Sequence, residues 1–121
     1  FKGEKITRYG DGTTKRDYTF IDDIVSGVVS ALDKNLNYEI INLGNNNPIE
    51  LNHFISIIEN RLNKKAIIEE KPVEDWDAKI TYANIEKAKK ILNYNPKTTI
   101  EDGMAKYIDW YMENRYLYEK N

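Results

Sequence analysis

The chain has 121 residues, a formal net charge of -2, 31% charged and 40% hydrophobic residues, and no cysteine. That is the length of about one ordinary domain, enough to bury a core but too short for a complete two-domain cofactor enzyme. The balance excludes a disulfide scaffold, cysteine-ligated zinc, a catalytic thiol and a nucleic-acid footprint, and no apolar run nears the roughly 18 residues of a membrane span.

Residues 4–9 alternate polar and apolar, as a half-buried strand does. Gly10-Asp11-Gly12 reads as a tight turn. Residues 16–21, with Tyr18, Phe20 and Ile21, form a second strand-like run, and Asp22 or Asp23 then offers a carboxylate to cap a helix. That helix sets Ile24, Val25, Val28, Val29 and Leu32 on one stripe. Residues 38–43 are a nearly continuous apolar run, the pattern of a buried strand of the kind parallel sheets use. After a loop of Gly44, three asparagines and Pro48 comes a helix with Leu51, Phe54, Ile55, Ile58 and Leu62 at helical spacing. Residues 66–69 suit a strand, and residues 70–79, with Pro72 and Trp76, are loop-like. Asn84 caps a short helix carrying Ile85, Ala88, Ile91 and Leu92. Tyr94-Asn95-Pro96 stops it, because proline disfavours helix at the preceding residue. Thr98 with Glu101, or Thr99 with Asp102, makes a capping box for a last helix in which Ile100, Met104, Tyr107, Ile108 and Tyr111 share a face. Strands alternate with helices, so the class is α/β, with about four helices and short strands.

Most catalytic constellations are missing. His53, the single histidine, lies in the polar part of a helix pattern and reads as a satisfied surface residue. One histidine and no cysteine leave only carboxylates for a metal, and no Asp/Glu set has calcium-loop spacing, so no metal is expected. Ser26, Ser30 and Ser56 lie inside helices, where a Ser-His-Asp set is not expected. Gly10-Asp11-Gly12 lacks a third glycine, and no helix opens after it to aim N–H groups at a pyrophosphate, so it is a turn and not a dinucleotide cradle. Tyr116 and Lys120 have the Tyr-x-x-x-Lys spacing that sets an ammonium one helical turn from a phenol. At the fraying end of the chain, with no dinucleotide-binding half before them, they receive no catalytic role.

The specific signal is the segment from Gly10 to Val25: Gly-Asp-Gly, a few residues, Arg16-Asp17-Tyr18, then a helix with aspartates at its start. It resembles the C-terminal region of extended short-chain dehydrogenase/reductase nucleotide-sugar epimerases and dehydratases, UDP-glucuronate and UDP-glucose 4-epimerases above all. Later pieces follow in the family's order. Residues 38–45 resemble its Tyr-x-x-Asn-hydrophobic-Gly strand, and residues 82–88 its Tyr-Ala-Asp-x-x-Lys-Ala segment. Residues 92–96 resemble its Leu-Gly-Tyr-x-Pro, and residues 99–110 its final helix. The resemblance implies that residues 1–121 are the C-terminal, substrate-binding region of a Rossmann-type, NAD-dependent nucleotide-sugar 4-epimerase. Such an enzyme isomerises a UDP-sugar through a 4-keto intermediate. Its NAD loop and catalytic Tyr-Lys pair lie in an N-terminal half that this sequence does not include.

By the same resemblance, Arg16 binds the pyrophosphate of the nucleotide sugar. A guanidinium offers a rigid fork for phosphate oxygens, the alternative being an ion pair with Asp17 or another carboxylate. Tyr9 matches an aromatic that stacks on uracil, the alternative being strand packing. Asp77 matches an aspartate that hydrogen-bonds a ribose or sugar hydroxyl. Asp23 is expected to cap its helix, and Asn42 to pack or bond a turn, rather than to touch substrate. Two features depart from the pattern. Residues 73–77 hold no arginine where galactose-type epimerases place a second phosphate ligand, which counts against a galactose-type substrate. Asn84 stands where the family has a capping aspartate, a mild change because both residues cap helices.

No catalytic, cofactor-binding or metal-binding residue is assigned, so the chain alone is expected to be inactive. In the family, the regions matching residues 23–33 and 38–42 pack on the cofactor domain. Val25, Val28, Val29 and Ile40 are therefore expected to lack partners here and to drive homo-oligomerisation or a rearranged packing. Neither a nucleic acid nor a membrane is expected as partner. The absence of cysteine and of a basic-then-apolar leader fits a reducing, cytoplasmic setting. The alternatives are a dehydratase or reductase of the same superfamily, or a non-catalytic module that binds nucleotide sugars or another protein.

Overall fold

The computed structural model describes residues 2–74 and 76–118. The first strand, β1 (Lys5–Tyr9), lies where the alternation of residues 4–9 places it. The chain then turns through Gly10 and Gly12, at φ of 72° and 82°, a region open to glycine because it has no Cβ. The strand β2 follows, only Lys15–Arg16 long, and then helix α1 (Ile21–Leu32). After a long irregular stretch come β3 (Ile49–Glu50), α2 (Leu51–Leu62), β4 (Ile67–Lys71) and β5 (Ile80–Thr81). The chain ends in α3 (Glu86–Leu92), α4 (Ile100–Asn114) and a 3-10 turn, Arg115–Leu117. The four helices and short strands expected from the sequence are present.

The strands form two small sheets. β1 and β4 run parallel, with Lys5 opposite Ile67 and Tyr9 opposite Lys71. In the second sheet β2 is central, antiparallel to β3 and parallel to β5. The core gathers around α3: Ile85, Ala88, Leu92 and Tyr94 are buried, with Ala31, Leu36, Ile41, Leu43, Ala83 and Ile91 packed against them. Helices α2 and α4 pack on each other, and Ile108 is buried on α4. Gly103, also buried, lets α4 approach the ring of Phe20. Tyr107, expected on the inner face of α4, is more than half exposed.

Local signals at the helix ends are used as the residues suggest. Thr99 accepts the N–H of Asp102 at 3.1 Å and its hydroxyl donates to Asp102 Oδ2 at 2.9 Å, so of the two candidate pairs Thr99 with Asp102 caps α4. The side chain of Asn84 accepts the N–H of Glu86 at 3.0 Å. Asn63 and Asn93 end α2 and α3 in the left-handed region, which asparagine tolerates better than other side chains. Asn93 stands where the Leu-Gly-Tyr-x-Pro pattern has glycine, and it adopts a backbone conformation that glycine takes freely.

Three expectations fail, each for a definable reason. The strand-like run of residues 16–21 stops at Arg16, because the next residue leaves the ladder. The carboxylate of Asp17 instead accepts the backbone N–H groups of Asn45, Asn46, Asn47 and Ala83, at 3.2, 3.0, 3.4 and 3.0 Å. Asp23 does not cap its own helix. The N-cap position is Phe20, with no side-chain cap, and Asp23 accepts the N–H groups of Lys97 and Thr98 at 3.2 and 3.0 Å, fastening the approach to α4. Residues 38–43 form no strand. Among the described residues no neighbour offers them a ladder, and Tyr38 and Ile40 are exposed while Ile41 and Leu43 reach the core.

The apolar stripe of α1 is open, as expected from the resemblance. Val25, Val28, Val29 and Leu32 are all about half exposed or more, with Leu32 at 80%. What α1 buries is Gly27, against Leu43 and Tyr94.

Candidate functional site

The sheet topology brings two connections side by side. β1 leads through residues 10–14 into β2, and β4 leads through residues 72–79 into β5. Because β1 pairs with β4 and β2 with β5, both in parallel, the two connections run alongside one another. The N–H of Gly10 bonds the carbonyl of Lys71 at 2.7 Å where they begin, and the N–H of Lys15 bonds that of Lys79 at 2.8 Å where they end. On its other flank the Gly-Asp-Gly turn meets the start of α2. There the N–H groups of Leu51 and Asn52 bond the carbonyls of Thr14 and Gly12, each at 3.0 Å.

All three residues assigned from the sequence lie on or immediately beside these connections. Tyr9 ends β1 immediately before the turn and is half exposed. Arg16 ends β2, after the turn. Asp77 lies on the second connection and meets Arg16: Nη2 donates to Asp77 Oδ1 at 2.6 Å. Each of the two side chains keeps about a third of its surface open, at 33% and 34%. Arg16 Nη1 donates to the carbonyls of Lys15 and Ala78 at 2.9 and 2.8 Å. Those bonds fix the guanidinium plane and leave Nε–H and one Nη2 proton without an acceptor among the described residues. The carboxylate partner of Arg16 is Asp77 and not Asp17, whose oxygens are filled by backbone donors. The arrangement presents a fixed cation with spare donors on one side of the turn and a half-open phenol on the other, groups that suit an anion attached to a flat ring.

Other titratable groups serve the fold. Burial raises the Asp23 carboxyl, but the bonds from Thr98 and Lys97, with Lys106 nearby, outweigh it and hold the group below the usual carboxylate range. Burial pushes the Tyr94 phenol up, with Asp23 and Asp17 adding to the effect, while its hydroxyl donates to Gly44 O at 2.9 Å. His53 meets Glu101 at 2.9 Å on the surface, as expected of a satisfied histidine. Among the described residues no group of three or more His, Cys, Asp or Glu could hold a metal. No helix is long and apolar enough to cross a membrane. Tyr116 sits in the 3-10 turn, and Lys120, its proposed spacing partner, lies outside the described residues.

The Gly-Asp-Gly turn does not fit a dinucleotide. It leads into a strand and not a helix, and the N–H of Gly10 is already taken by Lys71. Sequence reasoning missed two groups here. One is Asp17 as a hub for backbone donors. The other is Arg8, whose side chain bonds Gly10 O, Asn52 and Glu70. The only local signal for Arg8 is its place two residues before a turn glycine.

Comparison with known proteins gives a consistent picture. Residues 2–107 match the sequence profile of the GDP-mannose 4,6 dehydratase family. The UDP-glucuronate 4-epimerase of Thermodesulfobacterium geofontis is 45% identical over 115 residues, which are 94% of this chain and 35% of that protein. The crystal structure of UDP-glucuronic acid 4-epimerase from Bacillus cereus, in complex with UDP-glucuronic acid and NAD, aligns with a TM-score of 0.84 at 32% identity. The alignment covers 93% of this chain and 37% of that one. The dTDP-glucose 4,6-dehydratase of Bacillus anthracis, in complex with NAD, aligns with a TM-score of 0.82 at 30% identity, covering 95% and 37%. The chain therefore spans about a third of the length of the curated relatives it matches. Its α/β fold is the one these structures share, as the sequence pattern predicts.

Proposed function

The chain belongs to the GDP-mannose 4,6 dehydratase family, within the extended short-chain dehydrogenases/reductases that act on nucleotide sugars, and on that premise we propose that residues 1–121 are the C-terminal, substrate-binding region of an NAD-dependent UDP-sugar 4-epimerase. The observation that carries this reading is Arg16, held flat by two carbonyls and Asp77 with donors to spare, at the junction of the two connections. In this reading Arg16 binds the diphosphate and Tyr9 carries the uracil on its open face. Asp77 keeps one oxygen on Arg16 and offers the other to a ribose or sugar hydroxyl. The names of the 45% identical relative and of the Bacillus cereus structure support a UDP-sugar as substrate and epimerisation at C4 as the reaction; passage through a 4-keto sugar is part of the proposal. NAD would be held by the rest of a longer protein, since the Gly-Asp-Gly turn is no cradle for it.

Calorimetric titration of the full-length protein with UDP tests the assignment. Arg16→Ala should weaken binding roughly a hundredfold, the loss of about 2.7 kcal/mol of charge-assisted bonding. Unchanged affinity would remove Arg16 from the site. The isolated 121-residue chain should show no turnover, and epimerised product from it would overturn the division of labour.

A dehydratase is the second reading, favoured by the family profile and the Bacillus anthracis structure. Product analysis separates the two: an epimerase returns an isomer of equal mass, whereas a dehydratase returns a keto-deoxy sugar lighter by one water.

A further inference from the structure

The turn between Tyr9 and Arg16 is more firmly held than a Gly-Asp-Gly sequence requires. Its three successive carbonyls are all occupied by two residues. Arg8 Nε donates to Gly10 O at 3.1 Å, Asn52 Nδ2 to Asp11 O at 2.9 Å, and the Asn52 N–H to Gly12 O at 3.0 Å. The two clamping residues are joined to each other, Arg8 Nη1 donating to Asn52 Oδ1 at 3.0 Å. The third arm of Arg8, Nη2, is anchored on Glu70 at 2.7 Å, and the arginine side chain is only 17% exposed. Strand pairing with β4 already holds the backbone of β1. The guanidinium therefore spends its fork on the turn.

A turn with glycines at both ends is otherwise pliable, because glycine has the widest choice of backbone conformations. Pliability matters little to a ligand that touches one side of the turn. It matters to a ligand that must reach both, since two linked contacts reinforce each other only when the spacing between their sites is fixed.

We propose that Arg8 and Asn52 are positioning residues for the nucleotide site: by locking the three turn carbonyls they fix the separation between Tyr9 and Arg16. The inference rests on the reading of Tyr9 and Arg16 as the base and diphosphate contacts. Neither clamping residue touches the ligand. Their effect falls on ligands that carry both a base and a diphosphate, and not on the diphosphate alone.

The test uses the full-length protein, titrated with UDP and separately with inorganic pyrophosphate. Arg8→Met keeps the apolar stem and removes the fork. It should weaken UDP roughly tenfold while leaving pyrophosphate affinity unchanged, since only the linked contact is lost. Asn52→Asp is nearly isosteric, keeps an acceptor for Arg8 and removes the donor to Asp11 O. It guards against a failure of the arginine variant to fold, and should shift UDP in the same direction by a smaller factor. A wild-type preference for UDP that survives both variants overturns the positioning role alone. Equal weakening of both ligands also overturns it, and marks Arg8 as a general support of the fold or of Arg16. A wild-type protein that binds UDP no better than pyrophosphate overturns the base-platform reading, and this inference with it.

Discussion

Two regions of the molecule are finished to different degrees. Around the Gly-Asp-Gly turn, polar groups find partners within the chain: turn carbonyls on Arg8 and Asn52, the Arg16 fork on Asp77, the Asp17 carboxylate on backbone N–H groups. Along α1 and residues 38–43 the opposite holds. Val25, Val28, Val29, Leu32, Tyr38 and Ile40 stand open, and the apolar run 38–43 forms no strand. The polar groups near the turn are largely bonded within the chain, while the apolar face of α1 is bare. Contiguous exposed apolar surface of this kind marks a place where more protein packs. That agrees with a chain that spans about a third of its relatives' length.

The sharpest way to break this comparison is to charge the bare face. Val25→Lys with Val28→Lys should change the stability of the isolated chain by no more than about 0.5 kcal/mol, because neither valine is buried and lysine suits a helix. Self-association by sedimentation should fall. In the full-length protein the same pair should cost several kcal/mol, on the order of 2 or more per buried valine plus the charge, measured by denaturant unfolding. Equal small effects in both settings would mean that nothing covers α1.

The polar end should respond to the reverse change. Asp17→Ala strips the acceptor from four backbone donors and should destabilise the chain by about 3 kcal/mol, read as a lower melting temperature. Asp17→Asn, which keeps one acceptor oxygen, should lose less. A smaller step is the cap of α4. Thr99→Ala removes the bond from the Asp102 N–H and should cost about 1 kcal/mol in the same melt.

These residues also show what a sequence can reveal. Elements set by near neighbours were legible. The stripes of α2 and α4, the Thr99–Asp102 box and the asparagine and proline stops of α3 all act within a few residues. Contacts set at long range were not. Asp17 meets Ala83 across 66 positions and Arg8 meets Glu70 across 62, and no local pattern announces either. β2, β3 and β5 are two residues each, too short for a period to appear. Residues 38–43 failed for a different reason. An apolar run states a preference for burial in a sheet, but a strand also needs a neighbour to bond, which the run cannot supply. Within the proposed site, motif order pointed to Tyr9, Arg16 and Asp77. It could not show that Arg16 would bond Asp77, because that pairing depends on β2 and β5 lying side by side.

The smallest expected effect concerns acid. Asp23 is held below its usual range because its charged form accepts the Lys97 and Thr98 N–H groups, outweighing a burial cost that acts the other way. A carboxyl whose folded pKa lies below its unfolded value binds more protons when unfolded. Its contribution is therefore complete above the unfolded carboxylate pKa and is lost as pH falls through the lower folded value. Asp23→Asn should flatten the decline of stability with acid, measured by denaturant titration from neutral pH downward. It should also lower stability at neutral pH, where the charged form is the better acceptor. The charged face of α1 should leave this slope unchanged in the isolated chain, since Asp23 bonds toward α4 and not toward the bare stripe. A slope that moved with Val25→Lys would mean that the Asp23 carboxylate senses the bare stripe of its own helix.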